Sequence, residues 1–205
     1  MNEENKKLFD KEIVELEQLK GEERGVDIKY LVECVIRKEG EDGLKELKIE
    51  LAEKYDFFLP DLNKIKDVEW ISEVIPHIFL IASIRFFGWS EEDIYQMGKG
   101  AVSYSRTIKM FVKYFASIKQ TIQRAANSWN EYYTEGTMSM TSFDKEKKEA
   151  ILELRDFKTH PLVCVYISGV IAKILELVTA EKGSKVEEIR CVFKGDDHHA
   201  FRLIW

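Results

Sequence analysis

The closing stretch, KVEEIRCVFKGDDHHAFRLIW, constrains the chain more than any other. Apolar residues alternate on both sides of Gly195-Asp196-Asp197, which is the pattern of two half-buried strands joined by a tight turn. A three-residue turn pairs Phe193 with His199 and Cys191 with Phe201. Ile189, Cys191, Phe193, His199, Phe201, Leu203 and Trp205 then share one face, and that face must be covered. Glycine with aspartates is ordinary turn chemistry, so Asp196 and Asp197 need no further role. His198 falls on the opposite face.

The cover is expected from a helix opened by Pro161 and running to about Val178. Cys164 lies nine residues before Lys173, half a turn off, and so faces away from solvent. Cys191 and His199 become diagonal neighbours across the hairpin, about 7–8 Å apart at Cα. Two cysteines and a histidine meeting under the sheet are a donor set that zinc accepts. The alternative is two buried cysteines acting as small hydrophobes beside a hydrogen-bonded core histidine. Glu188, an odd number of residues from Cys191, faces away unless a bulge intervenes.

Upstream, the spacing predicts helices almost throughout the front half. Residues 3–20 carry Phe9, Ile13, Leu16 and Leu19 on one stripe, an amphipathic helix that packs on the domain or on a second copy. DIKYLVECVIRKEG and GLKELKIELAEKY continue the pattern, as do 74–88, 90–104 and 106–126. From Trp129 the character changes. SWNEYYTEGTMSMT and EAILELRDF, separated by DKEKK, read as a β-hairpin, with Gly136 suggesting a bulge. The expectation is an α+β chain: a helical N-terminal half, then hairpin, helix and hairpin forming an antiparallel sheet. Residues 1–24 form an N-terminal helix and 25–205 a single ligand-binding domain. Trp70, Phe79, Tyr104, Phe111, Trp129, Tyr133, Met138 and Met140 supply an apolar pocket with a few polar handles.

Composition excludes several classes. Lys+Arg 31 against Asp+Glu 37 gives a net charge of −6, with no basic footprint for nucleic acid. The N-terminus has no apolar core of a signal peptide, and neither long apolar stretch reaches the ~20 residues of a membrane span. Three cysteines suit a reducing compartment, so a cytoplasmic protein is expected. There is no phosphate loop, HExxH or nucleophile elbow. The string at Tyr104, YSR, lacks the intervening residues of the YxSxR haem anchor. Haem is therefore not expected, with His77 read as a core or solvated histidine.

The last 80 residues resemble the 4-vinyl reductase domain, within a superfamily that also holds haem–nitric-oxide-binding and TRAPP-subunit proteins. The resemblance is carried by the hairpin–helix–hairpin order, PLVCVYISG and EIRCVFKGDDHHAF. It implies a metal set of Cys164, Glu188, Cys191 and His199, with histidine in place of a last cysteine. It also implies a sensor of a small hydrophobic molecule, commonly a homodimer, that signals through a partner. Scaffold subunits of TRAPP type and tetrapyrrole enzymes are the other functions the resemblance brings.

Overall fold

In the computed structural model, residues 1–104, 117–179 and 184–205 are described, and the chain divides into two compact units, Met1–Ser90 and Glu91–Trp205. In the first, α1 (Glu3–Leu16) begins where the Asn2 side chain accepts from the Asn5 N–H at 2.8 Å. It buries Phe9, Ile13 and Leu16, packs on α3 (Val74–Phe87), and is pinned there by Glu12, which accepts from Arg85. The apolar stripe of α1 is thus covered inside its own unit. The long α2 (Gly25–Tyr55) is broken at Gly40, whose φ of 78° leaves the helical region.

The front half is not helical alone. Glu22–Arg24 (β1) and Trp70–Ser72 (β2) pair antiparallel, Glu23 opposite Ile71. Three residues per strand are too few for alternation to show, which is why the sequence read as helix throughout.

The second unit contains α4 (Glu91–Tyr104), α5 (Ile118–Asn127), the single turn α6 (Trp129–Tyr132) and α7 (Pro161–Thr179). Its strands are β3 (Thr137–Asp144), β4 (Glu149–Arg155), β5 (Lys185–Arg190) and β6 (His199–Ile204). They form an antiparallel sheet in the order β3-β4-β6-β5, the α+β arrangement expected. Three details differ from the sequence reading. Trp129 sits in a helical turn and Tyr133 just after it, and the bulge falls between Met140 and Ser142 rather than at Gly136. In the last hairpin Glu188, not Cys191, lies opposite Phe201, with a register shift between Glu188 and Arg190.

By length and composition α7 is apolar enough to cross a membrane. Here it is the core helix of the unit, burying Val163, Cys164, Tyr166, Ile167, Gly169, Ile171, Ala172 and Leu175. It meets α4 backbone to backbone. A Cβ on Gly98 would lie 2.0 Å from the Tyr166 carbonyl oxygen, and one on Gly169 would lie 2.1 Å from that of Tyr95. In an isolated helix, glycine-to-alanine gains up to about 1 kcal/mol. At this crossing the sign reverses, because neither backbone can give way. Gly98→Ala and Gly169→Ala should each lose about 2–3 kcal/mol in urea unfolding. Unchanged or raised stability would show that the helices do not touch there.

Candidate metal centre

His160, just before Pro161, accepts the Leu162 N–H on Nδ1 at 3.2 Å and so caps the start of α7. One turn on, Cys164 points at the sheet, 4% exposed. Beneath it lies β6, whose His199, Phe201 and Leu203 are all buried and lie opposite Leu154, Leu152 and Ala150 of β4. Glu188 shares that face through its pairing with Phe201. The bulge then moves Ile189 outward, 40% exposed, and returns Cys191 to the inner side, 3% exposed. The extra residue is what lets two positions of opposite parity face the same way.

The result is a four-sided cluster. The donor atoms of Cys164, Glu188, Cys191 and His199 all lie within 4.8 Å of one another. Cys164 Sγ is 3.6 Å from His199 Nδ1, and Glu188 Oε1 is 3.5 Å from the same nitrogen. His199 Nε2 faces the Phe157 carbonyl oxygen at 3.1 Å. A carbonyl only accepts, so Nε2 carries a hydrogen; in the neutral tautomer that this sets, Nδ1 turns its lone pair toward the thiol and the carboxylate. Glu188 Oε1 is buried and receives no hydrogen bond. Two lone-pair atoms therefore face each other across 3.5 Å, an arrangement that calls for a cation or a proton between them.

The electrostatics follow from burial. Burial pushes the Cys164 thiol well up, aided by Glu188 and Cys191 beside it, and burial also raises Cys191. Burial works to raise Glu188 too, but the adjoining His199 ring and the Lys194 ammonium outweigh it and bring the carboxyl down to about 2. Lys194 Nζ holds the outer oxygen, Oε2, at 3.0 Å. The segment carrying Cys191 is fixed by Asp196, whose carboxylate accepts the Cys191 N–H at 2.8 Å. Turn chemistry thus positions a donor.

The aromatic positions are distributed differently. Trp129 stacks on Tyr133 with centroids 4.5 Å apart and meets Phe157 edge-on at 5.2 Å. Its indole N–H is committed to the Glu135 carbonyl at 2.8 Å. Met138 and Met140 lie opposite Leu154 and Leu152, with Met138 buried. Tyr104 is the last described residue of α4 and is 36% exposed, while Phe111 lies outside the described residues. Trp70 and Phe79 belong to the first unit: the Arg24 guanidinium sits 3.6 Å over the Trp70 ring, and Phe79 is wholly buried. Phe157 was not foreseen as part of this cluster; it closes the run EAILELRDF, two residues beyond the end of β4.

No family model and no curated protein matches the chain. Solved structures do. An H-NOX protein from S. oneidensis in the Fe(II)NO ligation state superposes with a TM-score of 0.63 at 12% identity, over 88% of this chain and 97% of that one. An Fe(II) unliganded H-NOX protein from K. algicida gives 0.62 at 9% identity, over 88% and 95%. An oxygen-binding H-NOX domain related to soluble guanylate cyclases gives 0.59 at 11%, over 88% and 92%.

These neighbours correct two expectations. The resemblance to 4-vinyl reductase and TRAPP proteins does not stand: it rested on short, diffuse motifs, whereas the solved structures that superpose over 88% of the chain are H-NOX proteins. The expectation of possible zinc without haem is also overturned. A missing YxSxR string was too narrow a ground, since the neighbours of this fold are haem proteins, and nothing in them supports zinc. The four histidines, His77, His160, His198 and His199, are each 6% exposed or less. The fold of this chain is that of H-NOX domains.

Proposed function

We propose that the chain is a small-molecule-sensing domain whose closing hairpin is clamped to α7 by a metal ion held on Cys164, Glu188, Cys191 and His199. The clamp is carried by one observation: the lone pair of His199 Nδ1 faces the orphaned Glu188 Oε1, with two sulfurs alongside. Tetrahedral sites of this kind bring sulfur to about 2.3 Å and nitrogen to about 2.1 Å from the metal. The four donors need to draw in by roughly 1 Å to reach that geometry. The Phe157 carbonyl orients the imidazole, as an outer partner of a ligating histidine does. With four protein donors the site is closed, so its role is to hold the fold, not to catalyse.

The sensing role is supported by the likeness of fold to H-NOX domains. The guest in this reading is small and mostly apolar, and the signal passes through a second copy or a separate partner. A haem, when bound, supplies an iron that takes a diatomic gas. The chain's own part is to exclude water with its apolar core and to hold the sheet rigid against α7. In the second unit, Trp129, Tyr133, Met138 and Met140 are the residues proposed to shape the guest's surroundings, with Trp129 anchored by its N–H.

Two outcomes check this. Cobalt(II), a probe for thiolate ligation, should bind at one per chain with a sulfur-to-metal charge-transfer band. It should also raise the unfolding free energy by about 2.7 kcal/mol at a hundredfold excess over Kd. Binding should weaken as pH falls, because both thiols must give up protons that burial makes them keep. Cys191→Ser should weaken the band, and the Cys164→Ser/Cys191→Ser pair should lose it; an unchanged spectrum in either variant would remove the site. For sensing, protein from haem-supplemented cells is examined by absorption and native mass spectrometry. The reading requires a retained guest, either haem whose Soret band shifts with nitric oxide or an apolar organic molecule. A bare chain mass with no response to nitric oxide overturns it.

A further inference from the structure

Four polar side chains of the first unit cluster where the β1–β2 ribbon meets the starts of α2 and α3. Glu23 on β1 is 3% exposed, Glu73 just before α3 is 2%, and His77 in the first turn of α3 is 4%. Asp27, in the first turn of α2, is partly buried, and its Oδ2 is closed off from solvent without a hydrogen bond. His77 Nδ1 lies 2.7 Å from the Glu73 carbonyl oxygen and 3.9 Å from Glu23 Oε2. The Glu73 carboxylate accepts the Gly21 N–H at 2.8 Å, and the Glu73 N–H donates to the Gly21 carbonyl at 3.0 Å. This pair of bonds staples the entry of the ribbon.

A helix start ordinarily offers N–H groups to a carboxylate such as Asp27. Here the first two are taken by loop carbonyls: Gly25 donates to Glu69 at 2.8 Å and Val26 to Asp67 at 3.1 Å. The charged neighbours have other partners. Arg24 lies over Trp70 and donates to the Val68 carbonyl, Lys29 pairs with Asp67 at 2.7 Å, and Glu69 accepts the Lys66 N–H. Glu22 points outward and is exposed. Three carboxyl groups thus share a desolvated spot with one imidazole, and they cannot all ionise there cheaply.

We propose that Glu23, Asp27, Glu73 and His77 form a proton-operated latch on the ribbon that joins α1 to α2. Protonated, Glu23 and Asp27 sit neutral and the ribbon is closed; ionised, they repel each other and Glu73, and β1 loosens from β2. The direction of titration agrees. Burial first, then Asp27 and Glu73, hold Glu23 well above the usual carboxylate range, and burial raises Asp27 to about 7. Folded values above the unfolded ones mean that the cluster's contribution is complete in acid, below the ordinary carboxylate range. It is lost as pH rises to and through 7. This device is separate from the metal centre and from the sensing role.

Hydrogen exchange of the full chain tests it, read at amides 21–24 and 70–73 and corrected for intrinsic rates. Titration of Asp27 alone lowers protection by about tenfold between pH 6 and pH 8. Asp27→Asn should lose most of that drop and be the better protected protein at pH 8, with Glu23→Gln moving the same way. Equal protection of the unsubstituted chain at both pH values, or an undiminished drop in Asp27→Asn, overturns the latch.

Discussion

The contact between α4 and α7 sets what the second unit can be. Glycines at 98 and 169 let the two backbones approach until a single methyl group would collide with a carbonyl oxygen on the other helix. That closeness fixes the rotation of α7 about its axis and so decides which side chains it turns toward the sheet. Cys164, five residues before Gly169, is one of them. Without the glycine crossing, α7 would be an apolar helix with no preferred face, since nearly every residue on it is hydrophobic.

From that seat the chemistry of the cluster follows. The Phe157 carbonyl chooses the tautomer of His199, the bulge at Ile189 turns Glu188 and Cys191 to one side, and Asp196 holds the backbone of Cys191. Each is a local device, and all serve one purpose: they bring four donors to one buried point. Burial of such donors without a cation would leave the lone pairs of Glu188 and His199 opposed, a cost that a bound metal removes. The same physics recurs in the first unit with a different outcome. There the donors are carboxylates, a proton is the smallest cation that relieves them, and stability becomes dependent on pH.

Much of this was legible in the sequence, and the rest was hidden for physical reasons. Alternation on both sides of Gly195 showed the closing hairpin, and Pro161 with the spacing of Cys164 and Lys173 showed which helix covers it. The register was not legible, because a bulge costs one residue and leaves no mark in an alternating run; it decided whether Glu188 could join Cys191. Strands of three residues, at Glu22–Arg24 and Trp70–Ser72, carry too few positions to display a period. Trp129 and Tyr133 suit a strand by propensity, yet their stacking on each other and on Phe157 is made from a helical turn. The acid cluster around Glu23 draws on residues 50 apart in sequence, so nothing local announced it. Family likeness read from short motifs was the least reliable guide, and the whole fold corrected it.

The central claim is that Cys164, Glu188, Cys191 and His199 surround a single metal ion. X-ray absorption at the metal edge of cobalt(II)-loaded protein tests it most directly. The account predicts two sulfur scatterers at about 2.3 Å and two nitrogen or oxygen scatterers at about 2.0–2.1 Å. A shell of nitrogen and oxygen alone, with no sulfur, would contradict it.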